Sequence, residues 1–297
     1  MEPFKEWLNE NAARKIAKAI LRSFPDFDST AFLKGVGREL EDLELKARAA
    51  HLKDRLARGL PTSPHESFPI LLKALKQNPS DETGLTGFSV WPLSQFVSDF
   101  GLGEFRLSMN TLKKMTPVFS SEFAIRPFLQ EYETAALDEL LNWTKDEDEH
   151  VRRLVSEGSR PLLPWGQRLS SFVANPEKTW PLLEALREDS SLYVRKSVAN
   201  HINDHTKNHG DWVLSQLKPA HCKLVFEAIN KTDPTLDSFV EAMLKYSFVS
   251  HKGQTYRLPA NLQDIENFIS IDQLKMRAAK RLEDETLAYP VRAAWQA

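Results

Sequence analysis

Three side chains of this sequence combine types suited to chemistry with neighbours that could support it: Glu122, Trp165 and Asp204. Glu122 stands in the run Phe119-Ser120-Ser121-Glu122-Phe123-Ala124-Ile125-Arg126-Pro127-Phe128, where the serines suit a helix cap and the acid would fall in the first helical turn. The helix dipole favours a carboxylate there, and Arg126, four positions on, could pair with it across one turn. Trp165 follows Leu163-Pro164 at what should be the start of a new helix. An indole so placed is ordinarily core. The alternative is a face open to a flat, positively charged nucleobase, an attraction worth about 0.5–2 kcal/mol. Arg152, Arg153, Arg160 and Arg168 surround it in sequence, a mixture that can meet phosphates while the aromatic meets a base or sugar. Asp204 has Asn200 and His201 one helical turn before it and Lys207 one turn after, so a polar cluster can form on one face. An acid beside a lysine is nevertheless more often a solvated pair than a catalyst.

The elements that must position these groups read as helices. Phe4, Leu8, Ala12, Ile16 and Ile20 lie four apart and make one apolar stripe. Asp28-Ser29-Thr30 can cap a second helix carrying Phe32, Val36 and Leu40, and Leu45, Ala49, Leu52 and Leu56 continue the pattern until Gly59 and Pro61 end it. Ser63-Pro64 opens a further segment around Ile70, Leu71 and Leu75, closed by Asn78-Pro79. Strand-like alternation is missing, so the fold class expected is all-α.

The middle of the chain carries a repeat. Asp148-Glu149-His150-Val151-Arg152-Arg153-Leu154-Val155 aligns on its Val-Arg pair with Ser191-Leu192-Tyr193-Val194-Arg195-Lys196-Ser197-Val198, 43 positions later. That spacing falls in the roughly 40–47-residue period of HEAT and armadillo units, each a helix pair. Arg195 is then expected in an inter-repeat ladder, with Val194, Val198 and Ile202 as its buried stripe. Asp233-Pro234 continues the spacing without a Val-Arg pair, and Pro290-Val291-Arg292-Ala293-Ala294 looks like one more second helix. Such units cannot cover their apolar faces alone, and stacking them gives a curved solenoid of antiparallel helix pairs with an extended concave surface. On architecture alone a protein scaffold is the default, because fold does not specify function.

Composition narrows the classes. At 41% hydrophobic and 27% charged residues the chain reads as soluble and globular, and no run of eighteen apolar residues suggests a membrane span. No basic region followed by an apolar run opens the sequence, so secretion is not expected. The one cysteine, Cys222, can form neither an internal disulfide nor a cysteine-rich metal site, and the cytoplasm is the compartment expected. The histidines lack metal-ligand spacing and no phosphate-cradling glycine loop occurs, so no metal or organic cofactor is expected. A net charge of −2 tells against a uniformly basic surface but leaves room for a local basic face.

Taken together, Ser121 through Phe128, Ser156-Glu157-Gly158-Ser159-Arg160-Pro161, Leu163-Pro164-Trp165 and Tyr193 through Asp204 occur in an order that resembles the AlkC-type 3-methyladenine DNA glycosylases of the HEAT-like repeat superfamily. Phe32 through Pro61 resembles the amino-terminal helices of that family, and the resemblance covers most of residues 1–214. It implies a HEAT-like glycosylase-type region over 1–217 and a divergent helical segment, 218–297, completing the solenoid. It further implies hydrolysis of the N-glycosidic bond of cationic alkylated bases, 3-methyladenine and 3-methylcytosine, in double-stranded DNA by a monomer. The alkylated base is already a good leaving group, so carboxylates would stabilise an oxocarbenium-like sugar and position water. By position, the resemblance makes Glu122 and Asp204 the catalytic carboxylates and Trp165 the pocket wall. Arg126, Arg152, Arg160, Lys196 and Lys207 become contacts to the DNA backbone or to the acids. Leu162 departs from the family, which commonly has a second arginine there, and no match is found for the basic repeat expected after Leu217. The immunoglobulin-like extension of some members is not expected. The alternative reading is a non-catalytic HEAT-like binder of nucleic-acid structures, or a protein-interaction scaffold.

Overall fold

The structure, a computed structural model, describes residues 3–216 together with 250–251 and 254–255. It is all-helical apart from one short antiparallel pairing, Ser250–His251 with Gln254–Thr255, and an isolated bridge between Leu75 and Leu85. The helices are α1 (Glu10–Ser23), α2 (Ser29–Leu33), α3 (Val36–Glu41), α4 (Leu45–Gly59), α5 (Pro64–Ala74), α6 (Trp91–Phe100) and α7 (Phe105–Met115). After them come α8 (Arg126–Glu131), α9 (Glu133–Trp143), α10 (Glu149–Gly158), α11 (Ser170–Ala174), α12 (Trp180–Leu186) and α13 (Leu192–Gln216), the last broken by non-helical backbone at His209. The chain divides into two compact units. One comprises Met1–Ser159 with Trp165–Gln167; the other comprises Arg160–Pro164 and the chain from Arg168 onward. Apart from that short antiparallel pairing, the expected segment 218–297, with the repeats expected at Asp233 and Pro290, lies outside the described residues.

In the first unit the amino-terminal stripe is buried at Leu8, Ala12, Ile16 and Ile20, but Phe4 is not part of it. Asn9 is the reason. Its side chain accepts from the Ala12 amide and starts α1 afresh, leaving Phe4–Leu8 as a separate 3-10 turn with Phe4 47% exposed. Asp28 caps α2 as its type predicts, through the Ala31 amide. The helix expected to run through Leu40 is interrupted at Gly35, whose φ of 73° is left-handed, and it resumes as α3 with Phe32, Val36 and Leu40 still buried. Leu45, Ala49, Leu52 and Leu56 bury the inner face of α4, which packs against α6.

The repeat reappears as geometry. Arg152 Nη1 donates to the carbonyls of Asp146 and Glu147, at 2.8 and 2.9 Å, and Arg195 Nη1 donates to the equivalent carbonyls of Asp189 and Ser190. The Asp148 amide donates to the Asp146 carboxylate, and 43 positions on the Ser191 amide donates to Asp189. Val151 and Val194 are buried alike. Each unit of the repeat therefore uses its arginine to fasten the acidic loop before its own helix. Arg195 thus ties down its own loop rather than joining a ladder, and Arg152 holds its loop through Nη1 in the same way.

Candidate active site

Pro127 decides how Glu122 is presented. Its ring is accommodated in the first turn of α8 and fixes the helix start at Arg126, so Ser120, Ser121 and Glu122 form the turn before the helix and do not cap it, contrary to expectation. Ser121 Oγ donates instead to the Leu112 carbonyl at 3.1 Å, and Ser120 Oγ donates to Glu122 Oε2 at 2.9 Å. The cation beside Glu122 is Arg153 of α10, whose Nη1 lies 2.6 Å from Oε2, and not the expected Arg126. Arg153 also approaches Glu157 at 3.6 Å. The close fit of α10 against the turn depends on Gly158, where an added Cβ would stand 2.8 Å from Ile125 Cγ2. Glu122 is thus a largely buried carboxylate on a rigid turn, with a hydroxyl and a guanidinium bonded to one of its oxygens.

Arg126 corrects another expectation. It is fully buried; its Nε donates to the Gln167 carbonyl at 2.6 Å and its Nη1 to the Gly158 carbonyl at 2.8 Å. No phosphate can reach it in this fold. Its guanidinium fastens the segment carrying Trp165 to the end of α10.

Trp165 lies in a turn five residues before α11, not at a helix start. Its φ of 63° is left-handed, the only positive φ at a non-glycine residue among those described, and the residue is 56% exposed. Both features are costly for a tryptophan: the bulky side chain resists this backbone region, and the ring forgoes burial. Glycine would take the conformation freely, yet Gly166 stands one position later. Lys46 Nζ donates to the Trp165 carbonyl at 2.8 Å, and the exposed Phe4 ring lies in a T-shaped arrangement with the indole, 6.4 Å between centroids. The same turn borders a recess of about 200 Å³ walled by Lys46, Trp91, Phe123, Pro127, Trp165 and Gln167. Two of those walls, Trp91 and Phe123, stack at 5.1 Å with their planes 18° apart.

In the second unit the polar cluster around Asp204 forms, but it is not a solvated pair. The Asp204 side chain is wholly buried on α13; Arg160 donates to it from Nε at 2.9 Å and from Nη2 at 3.2 Å, and Lys207 Nζ approaches at 3.1 Å. Two cations balance one buried carboxylate, the compensation such a burial requires. Asn200 and Lys196 are exposed on the same helix, whereas His201 is buried with its ring 5.0 Å from that of His205. His205 is also buried, with Nε2 2.8 Å from Thr179 Oγ1. Burial pushes its pKa down to about 4, overcoming the pull of Asp204, and the neighbouring His209 pushes the same way.

No protein-family model matches the chain. It is 38% identical over 212 residues, 70% of its length, to a Bacillus subtilis protein described as the uncharacterized protein YhaZ, and spans 57% of that protein. Among solved structures it is similar to the Pseudomonas fluorescens alkylpurine DNA glycosylase AlkC bound to DNA containing an abasic site analog, with a TM-score of 0.70 and 36% identity over 82% of this chain. The chain has the AlkC-type fold. It covers 64% of the AlkC chain, so it spans about three fifths of the length of these relatives. Within this AlkC-type, helical-repeat framework the sequence reading missed Lys46 and His205, and it named Arg153 only among the arginines near Trp165, not as the partner of Glu122. Arg153 lies 31 residues from Glu122, beyond any helical spacing rule, and Lys46 lies 119 residues from Trp165. The buried His205 left a fainter signal: the inward stripe of its helix runs through Val194, Val198, His201 and His205, and Ile202, expected on that stripe, is only half-buried.

Proposed function

We propose that the chain is a DNA glycosylase that hydrolyses the N-glycosidic bond of cationic alkylated bases, 3-methyladenine and 3-methylcytosine, in double-stranded DNA. The observation that carries the proposal is Trp165. In a chain of AlkC-type fold, an indole held open to solvent on left-handed backbone is a feature that folding alone does not reward, and such strain belongs where a ligand is met. Its face suits a positively charged base. The alkylated base departs readily once the sugar can bear positive charge, so the protein must oppose that charge and supply an oriented water. Glu122, fixed by Ser120 and Arg153, is assigned the first role. Asp204 is assigned to the same chemistry as a carboxylate positioned by Arg160 and Lys207, with Lys196 and Lys207 contributing exposed positive charge toward the DNA backbone. The enzyme acts as a monomer in the cytoplasm and uses no metal or organic cofactor.

Burial favours a second role for Asp204, that of an internal counter-ion which orders Arg160. The two readings part at the amide substitution: the catalytic role removes activity from a folded protein, whereas the counter-ion role removes the fold. The reading of the whole protein is tested by incubating it with methylated DNA and separating the released bases. Release of 3-methyladenine or 3-methylcytosine above a matched control is expected; binding to DNA without release would favour a non-catalytic nucleic-acid binder.

A further inference from the structure

The turn that presents Trp165 cannot hold itself. A left-handed conformation at a bulky residue costs about 1–2 kcal/mol relative to the ordinary regions, and Gly166 would let the chain relax by moving the positive φ one position along. Two cations from separate helices oppose that relaxation. Arg126, fully buried at the start of α8, grips the Gln167 carbonyl two residues after the indole. Lys46, near the start of α4, grips the carbonyl of Trp165 itself, the group whose direction must change if the backbone leaves the left-handed region. Charge-assisted bonds to carbonyls are the stronger kind. The exposed Lys46 forms no other hydrogen bond or ion pair among the described residues.

We propose that Lys46 is a positioning residue for Trp165, the outer half of a two-cation clamp whose buried half is Arg126, and that it holds the indole in the pose that meets the lesion. The role in lesion contact rests on the glycosylase reading above; the clamp itself does not. Lys46 would act on the damaged base through the turn, not by touching DNA.

Lys46→Met keeps the aliphatic stem and removes the donor, and the site is exposed enough for the variant to fold. Protein labelled with 5-fluorotryptophan is compared by fluorine NMR, the Trp165 resonance being assigned from Trp165→Phe. Expected for Lys46→Met is a shift or broadening of the Trp165 resonance with the other tryptophans unmoved. Single-turnover base release should fall about tenfold, with unchanged melting temperature and unchanged affinity for undamaged DNA. Lys46→Arg, which can still donate, should restore both signals, and Lys46→Met added to Trp165→Ala should cost no further activity. An unmoved Trp165 resonance would overturn the inference. So would a loss of affinity for undamaged DNA with a shallower salt dependence, the signature of a phosphate contact. If the wild type releases no base, the glycosylase reading fails and the resonance alone decides the clamp.

Discussion

Trp165 contributes little to stability by burial, because more than half of it faces water, and its backbone is strained besides. Trp165→Ala should therefore leave the melting temperature nearly unchanged, where truncating a core tryptophan costs about 3–5 kcal/mol. Under the glycosylase reading the same variant loses cleavage of cationic bases while its salt-sensitive binding to undamaged DNA persists; calorimetry and a base-release assay on one preparation check both halves. Under its counter-ion reading, Asp204 predicts the opposite balance. Replacing it with asparagine leaves Arg160 and Lys207 facing an uncharged amide inside the protein, and loss of one partner of a buried pair costs about 3–5 kcal/mol. Chemical denaturation should report a loss of that order, and a melting curve like that of the wild type would show that the pair carries no stability. The residue types at these positions were legible in the sequence, but their environments were not. Nothing in the order of residues says that Arg126 is buried except its setting among Ala124, Ile125, Phe128 and Leu129, an apolar run that argues for an inward-facing cation fastened to carbonyls.

At the scale of the elements, local signals worked where one residue fixes a boundary. Asp28 capped its helix, Pro64 opened α5, and the Val-Arg pairs 43 residues apart marked loops that are fastened in the same way. They failed where two signals competed: Ser120-Ser121 promised a cap, but Pro127 set the helix start five or six residues later, and Gly35 broke a stripe that the apolar spacing carried straight through. The interior of α13 yields a pH prediction. His205 titrates near 6.5 when unfolded but is pushed down to about 4 in the fold, chiefly by burial. Between those values the unfolded chain takes up the proton and the folded one does not, so acid favours unfolding. Stability should fall as pH drops from about 6.5 towards 4, by an amount on the order of 3 kcal/mol from this residue alone. His205→Gln should flatten that part of the curve in denaturation series run across the interval. An unchanged slope would mean that the ring takes up its proton equally in both states.

For the whole molecule, the all-helical class and the AlkC-type resemblance were legible because apolar spacing and motif order survive at 36% identity. The presentation of the candidate site residues was not, since it depends on contacts such as Lys46 with Trp165 and Arg153 with Glu122 that join distant stretches of chain. The central claim joins that fold to base excision, and one measurement addresses it most directly: the bases released from methylated double-stranded DNA by the wild-type protein and by Glu122→Gln, with circular dichroism on both. The glycosylase account predicts 3-methyladenine or 3-methylcytosine in the wild-type supernatant and a strong reduction with the folded amide variant, which keeps the shape of Glu122 without its charge. No release by the wild type, or equal release by both proteins, would contradict it.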